Sequence, residues 1–145
     1  MTAPQLYDRD FFEWTRCNAA LLRAGRFDQA DIEHIAEEIE DMGKRERREL
    51  ESRLEVLIQH LLQWKAQPAR RSESWSKTVK LQRREIAKLL AEMPSLKPAL
   101  SVSLREAYQG SVLRASLETG EPEASFPASC PFTLDEILDQ EFLPD

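Results

Sequence analysis

QADIEHIAEEIEDMGKRERRELESRLEVLIQHLLQWKA, residues 29–66, decides the fold. Its apolar positions Ile32, Ile35, Ala36 and Ile39 are followed by Gly43 and Glu46, then by Leu50, Leu54, Leu57, Leu61 and Trp64. They recur at three and four residues, the period of one helical face. The phase survives across Gly43, which predicts one helix of about 60 Å rather than two. Glycine costs about 1 kcal/mol inside a helix, so a kink at Gly43 is the alternative. Val56, Leu57, Ile58, Leu61 and Leu62 cover most of the circumference, which marks the second half as central in a bundle. Residues 32–42 carry one narrower stripe, Ile32, Ile35, Ile39 and Met42, which needs cover from another helix or another copy.

Further helices read outward from this one. Asp8 or Asp10 caps a first helix through Phe11, Trp14, Cys17, Asn18, Leu21 and Leu22, and Gly25 stops it. Asp28 is placed to cap the long helix. After Pro68, Ser72 or Ser74 caps a helix with the stripe Trp75, Val79, Gln82, Ile86, Leu89, Leu90 and Met93. Ser95 caps the next, with Leu96, Leu100, Leu104, Ala107, Tyr108 and Ser111 inside and Gly120 at its end. Thr133 and Glu136 have capping-box spacing and open a short last helix. The expected fold is all-α: a bundle of four main helices, one unusually long at about residues 29–66, plus a short C-terminal helix, in one domain over residues 1–145.

Composition narrows the function classes. Hydrophobic residues are 41% and charged residues 32% of 145, with only 4 glycines, and there is no Asn-Gly or Asp-Gly hairpin signal. Cys17 and Cys130 form neither a CxxC nor a zinc spacing. Two free thiols, an N-terminus bearing Asp8, Asp10 and Glu13, and no long apolar run point to a cytoplasmic chain without signal peptide or membrane span. The net charge of −6 is divided unevenly. Residues 65–88 hold eight Lys and Arg against two Glu, whereas residues 116–145 hold eight Asp and Glu and no cation. That asymmetry predicts that the acidic tail docks on the basic helix within one fold or one dimer.

Gln82 is a polar residue in an apolar stripe, and an unpaired buried amide costs about 1–3 kcal/mol. Its expected partners lie on the long helix, where Glu46, Arg53 and His60 are seven apart and share one edge. This seam reads either as a structural network or as a polar site with His60 as general base beside Glu46 or Glu49. His34, Glu38 and Asp41 share a second face, which reads as a solvated surface or an oxygen-rich cation site. Two histidines exclude a His-rich centre, and no metal or cofactor is expected. Trp75, Arg83 and their basic neighbours read as a solvated dock for the tail or as a phosphate-binding strip. Against the second reading, the pI of about 5.1 lacks the footprint of a nucleic-acid binder. Cys130, beside Pro131, reads as a packed turn residue rather than a nucleophile.

Several strings together resemble one family. They are Tyr7-Asp8-Arg9-Asp10-Phe11-Phe12-Glu13-Trp14, Leu22-Arg23-Ala24-Gly25-Arg26-Phe27, Glu37-Glu38-Ile39-Glu40 before Gly43, and His60-Leu61-Leu62-Gln63-Trp64. Ser74-Trp75 with Thr78, Gln82-Arg83, Pro94-Ser95-Leu96, Glu118-Thr119-Gly120 and Cys130-Pro131-Phe132 follow in order. The chain resembles the bacterial domain-of-unknown-function family 29 (DUF29), small helical proteins common in cyanobacteria. Gln63 departs from it, standing where a Lys or similar residue is expected. The resemblance implies an α-helical fold and brings no activity and no catalytic residue.

Three functions follow as expectations. The first is a non-enzymatic helical interaction or structural module, a homodimer or bound to a protein partner. The second is a hydrolytic or nucleic-acid-processing enzyme using His60 with Glu38 or Glu46, which requires an open pocket at His60. The third is nucleic-acid binding through residues 70–88, with Arg53, Trp75, Gln82 and Arg83 as candidate contacts for any ligand.

Overall fold

The computed structural model describes residues 1–145 and contains helices and no strand. The α-helices are α1 (Ala3–Arg9), α2 (Phe11–Arg23), α3 (Ile32–Ala66), α4 (Glu73–Glu92), α5 (Leu100–Thr119) and α6 (Leu134–Leu138). The expected four main helices are α2 to α5, the unusually long one is α3, and α6 is the short C-terminal one. α3 runs unbroken through Gly43 for 35 residues. Contacts gather into two compact units, Met1–Glu46 and Arg47–Asp145.

In the first unit the chain begins with a helix the sequence reading missed. Asp10 separates α1 from α2: its amide donates to the Leu6 carbonyl at 2.8 Å, and its carboxylate accepts from the Glu13 amide at 3.1 Å. One residue thus ends one helix and starts the next. α2 ends at Gly25, whose φ of +71° suits a residue without Cβ. There the Arg26 amide reaches the Leu21 carbonyl at 2.9 Å and the Gly25 amide reaches Leu22 at 3.1 Å, which satisfies the last turn. α3 starts three residues later than expected, because Asp31 rather than Asp28 stands at its head. The Asp31 carbonyl takes the Ile35 amide at 2.9 Å, closing the first helical turn.

The second unit holds the main core. Leu50, Leu54, Leu57, Ile58, Leu61 and Leu62 of α3 are buried together with Val79, Ile86, Leu89 and Leu90 of α4. α5 contributes small residues at four-residue spacing: Ser103, Ala107, Ser111 and Ala115 are all buried. This lets α5 come close to α3. The Ser111 hydroxyl donates to the Glu55 carbonyl at 2.8 Å, and a Cβ at Gly110 would run into the Glu55 carboxylate. Ser95 does not cap α5, contrary to expectation. Pro94 and Pro98 hold residues Pro94–Ala99 in a 3-10 turn, because proline lacks the amide a continuing helix needs, and α5 begins at Leu100. At α6 the capping box forms as its spacing predicts, with Thr133 and Glu136 each accepting the other's amide, at 3.1 and 3.0 Å.

Gly43 lies in a helix interior, and a Cβ there meets nothing within 4 Å. Gly43→Ala should therefore raise the unfolding free energy by about 0.5–1 kcal/mol. Urea unfolding followed by helical circular dichroism in dilute solution measures it; a loss of stability would mean that α3 bends in solution.

Candidate functional site

The first unit contains a polar and aromatic cluster built on Asp31. This carboxylate is only 5% exposed. It accepts from the indole N–H of Trp14 at 2.9 Å and from Nδ1–H of His34 at 2.6 Å. The Asp31 amide in turn donates to the Asn18 side chain at 2.8 Å, and Asn18 donates to the Trp14 carbonyl at 2.9 Å. Tyr7 lies flat on the His34 ring, with centroids 3.8 Å apart and planes 9° apart. Its hydroxyl donates to Glu38 at 2.6 Å. Phe11 and Trp14 pack against the Tyr7 ring edge-on. Residues from α1, α2 and α3 are thereby tied at one point.

The electrostatics follow from these bonds. Burial alone would raise the Asp31 carboxyl, but bonds from Trp14 and His34 outweigh it and hold the group below its ordinary 3.8. The bond to Asp31 raises His34 above its ordinary 6.5, against the opposing effect of burial. The Tyr7 hydroxyl, bonded to Glu38, is pushed up to about 12. A histidine oriented by a carboxylate has the parts of a general base. Here the nearest hydroxyl is already given to a carboxylate and is held far from ionising.

The second unit divides the expected seam. Gln82 is half-buried, and Arg53 donates to its carbonyl oxygen at 3.3 Å. Arg53 also pairs with Glu49 at 3.3 Å and approaches Glu85 at 4.0 Å. His60 turns to its own helix and donates from Nδ1 to the Val56 carbonyl at 2.8 Å. Glu46, half-buried at the end of the first unit, makes no side-chain hydrogen bond or ion pair, so the line of three does not close into one network. Glu38 is engaged in the first unit by Tyr7. Trp75 is half-buried at the start of α4.

Arg83 corrects the expectation of a solvated basic face. It is 2% exposed and occupies the inner position of α4 that the sequence assigned to Gln82. Its guanidinium donates to the carbonyls of Ile137 at 2.8 Å and Glu136 at 3.2 Å. These belong to the last turn of α6, where the Glu136 carbonyl also takes the Asp139 amide at 3.3 Å and the Ile137 carbonyl has no backbone partner. Burial lowers the Arg83 pKa, opposed by the nearby charge of Asp139. Arg71 acts similarly: it donates to the Trp64 carbonyl at 2.7 Å and the Pro144 carbonyl at 3.4 Å, and it covers the Trp64 ring. The tail does dock on the basic segment, but the arginines bind its backbone carbonyls rather than its carboxylates.

The family model described as Domain of unknown function DUF29 matches residues 6–143. The chain belongs to this family. No curated protein and no solved structure matches it. In this DUF29 chain the matched span takes in both the Asp31 cluster and the Arg83 anchor. The family strings seen in the sequence supply Tyr7, Trp14, Glu38 and Arg83, yet not Asp31, the residue that joins Trp14 to His34.

Two hollows lie near these groups. One of about 600 Å³ in the first unit is lined by Thr2, Ala3, Pro4, Cys17, Leu21 and residues Asp28 to Ala30. Another of about 370 Å³ lies between α4 and the C-terminal segment, lined by Glu73, Lys77, Lys80, Glu141 and neighbours. His60 lines neither. No group of three or more His, Cys, Asp or Glu side chains is disposed to hold a metal ion. Burial raises the Cys130 thiol, which leaves it a poor nucleophile.

Two outcomes are expected. Arg83→Ala removes a buried guanidinium and leaves the Ile137 carbonyl unpaired, so it should cost about 2–4 kcal/mol in urea unfolding. Arg83→Lys, which lacks the planar fork, should recover little of it. The second outcome concerns pH. The raised His34 stabilises the first unit below 6.5, and this is lost as pH rises through its folded pKa. The lowered Asp31 stabilises it above 3.8, and this is lost as pH falls through its folded pKa. The cluster is therefore tightest between those values. In an NMR titration the His34 midpoint should lie above 6.5 and fall in Asp31→Asn; an unchanged midpoint would refute the pairing.

Proposed function

We propose that this DUF29 protein is a non-enzymatic, cytoplasmic helical interaction module. It associates through its first unit, as a homodimer or with a protein partner. The observation that carries this is where large apolar side chains meet solvent. Met1, Phe11, Phe12, Leu22, Phe27, Ile32, Ile39 and Met42 are exposed among the first 46 residues. The remaining 99 residues expose only Leu81, Leu113, Leu117 and Leu143. Phe12 is 71% exposed and Ile39 59%. Single exposed apolar residues are ordinary, but a concentration of this kind is typical of a surface that is covered in use.

The same residues weigh against the two alternatives. His60 spends Nδ1 on its own helix and lines neither of these hollows, which weighs against an enzyme built on the Glu38–Glu46–His60 seam. Nucleic-acid binding through residues 70–88 loses Arg71 and Arg83 to internal carbonyls, and Lys77 is paired with Glu73 at 3.1 Å.

Native mass spectrometry of the full chain purified from cells that express it tests the interaction reading. A species heavier than the 16.8 kDa chain is expected. Ile32→Asp with Ile39→Asp should reduce it to the bare chain while leaving the helical circular dichroism unchanged, since both side chains are exposed. A bare chain in the wild type, at cellular concentration, would overturn the reading.

A further inference from the structure

The second unit holds a buried cation whose charge the fold does not neutralise. Arg83 is almost wholly buried and makes no ion pair. Its Nε and Nη2 donate to the carbonyls of Ile137 and Glu136, which leaves Nη1 without a hydrogen bond. Asp139 is the carboxylate whose charge it feels, and this group lies beyond ion-pair distance. A buried cation held by neutral carbonyls alone is short of the counter-charge that offsets its desolvation.

Arg83 lines the hollow between α4 and the C-terminal segment. At about 370 Å³ this hollow falls in the size range of small-molecule sites. α4 presents Lys77, Val79, Lys80 and Arg83 to it, and the facing wall presents Glu141 and Leu143. That wall is pinned at both ends by arginines. Arg83 holds the Glu136 and Ile137 carbonyls before it, and Arg71 holds the Pro144 carbonyl after it, at 3.4 Å. The hollow is therefore part of the fold rather than a gap beside a loose tail.

Its charges are uneven. Lys77 is paired with Glu73 at 3.1 Å, so those two cancel. Lys80 is exposed and makes no ion pair. Lys80 and Arg83 thus supply two free positive charges against one free carboxylate, that of Glu141. Val79 and Leu143 add apolar surface.

We propose that this hollow binds a small organic oxyanion, a carboxylate or a phosphate monoester. Its oxygens take Nη1–H of Arg83 and the Lys80 ammonium, and its carbon body lies against Val79 and Leu143. This goes beyond association through the first unit and does not depend on it. A hydrogen bond between two ionised groups is about twice as strong as a neutral one. At Arg83 it also supplies the missing counter-charge, in a place where water screens it little. Glu141 opposes the anion, so an oxyanion without a carbon body binds at about millimolar concentration.

The test is an NMR titration of the full chain, labelled with nitrogen-15, at constant ionic strength. Inorganic phosphate is added in one arm and acetate in another, with chloride as the reference. Saturable shifts are expected in the amides of residues 76–83 and 140–143 and in the Arg83 side-chain N–H signals. Saturation by phosphate assigns the site to phosphate monoesters, and saturation by acetate to carboxylates. Arg83 itself is kept, because its loss costs stability. Lys80→Ala should weaken binding about two- to fivefold, and Glu141→Gln should strengthen it by a similar factor. Both side chains are exposed and make no ion pair, so neither variant disturbs the fold. Lys88→Ala removes an exposed cation about two turns further along α4, outside the hollow, and should change nothing. No saturation by either anion up to about 50 mM overturns the proposal. Equal weakening by Lys80→Ala and Lys88→Ala also overturns it, since that marks an adventitious ion only.

Discussion

α3 keeps one helical phase for 35 residues while its surroundings change. Residues 56 to 62 are apolar nearly all round, and the leucines from 50 to 62 are buried with α4, α5 and the loops that follow. Residues 32 to 42 have an apolar stripe only, and much of it is wet. An amphipathic helix gains most of its stability from packing that stripe, not from intrinsic propensity. In the first half, α1 and α2 cover the side bearing Asp31, His34 and Glu38, and Ile32 and Ile39 remain outside. The helix persists there because the Asp31 cluster ties its first turn to two other helices.

Both units rely on a charged group taken out of water and satisfied there. Removing a charge from solvent is costly unless its hydrogen bonds are replaced. Asp31 replaces them with an indole, an imidazole and its place at a helix start. Arg83 has no carboxylate in contact and uses two carbonyls at a helix end, where partial negative charge accumulates. Each device joins segments distant in sequence, and each is directional in a way that apolar packing is not. Asp31 fixes how the first three helices meet, and Arg83 fixes where α6 lies on α4.

Much of the fold was legible because periodicity reports packing directly. The unbroken stripe through Gly43, the core leucines and the Thr133–Glu136 box all appear as written. The errors share a cause: a polar residue was judged by its type rather than by what it could reach. Between neighbours Gln82 and Arg83, hydropathy puts the amide inside; the structure puts the guanidinium inside, because carbonyls 53 and 54 residues away await it. Asp31 was passed over for Asp28 because either fits a helix start. One signal could have chosen between them. Trp14 has an N–H that must find an acceptor when buried, and His34 lies three residues after Asp31 on the same turn. Similarly, α5 hides small residues, so its inner face carries little hydropathy signal.

The charge pattern of α3 is the feature that the folded chain explains least. Acidic residues near a helix start suit its dipole, which accounts for Glu33 and, more weakly, Glu37. It does not account for four cations in mid-helix, far from the carbonyl end that favours them. Isolated-helix energetics would instead interleave the signs and form the Glu40–Lys44 and Asp41–Arg45 pairs, whose spacing is present but unused. Segregated blocks raise the self-repulsion of each block in the single chain. Arg47 relieves part of this repulsion by pairing with Glu51 at 3.3 Å and with Glu106 of α5 at 3.6 Å. A cation of mid-helix thus holds its place as the core leucines do, through a residue of another helix that faces it.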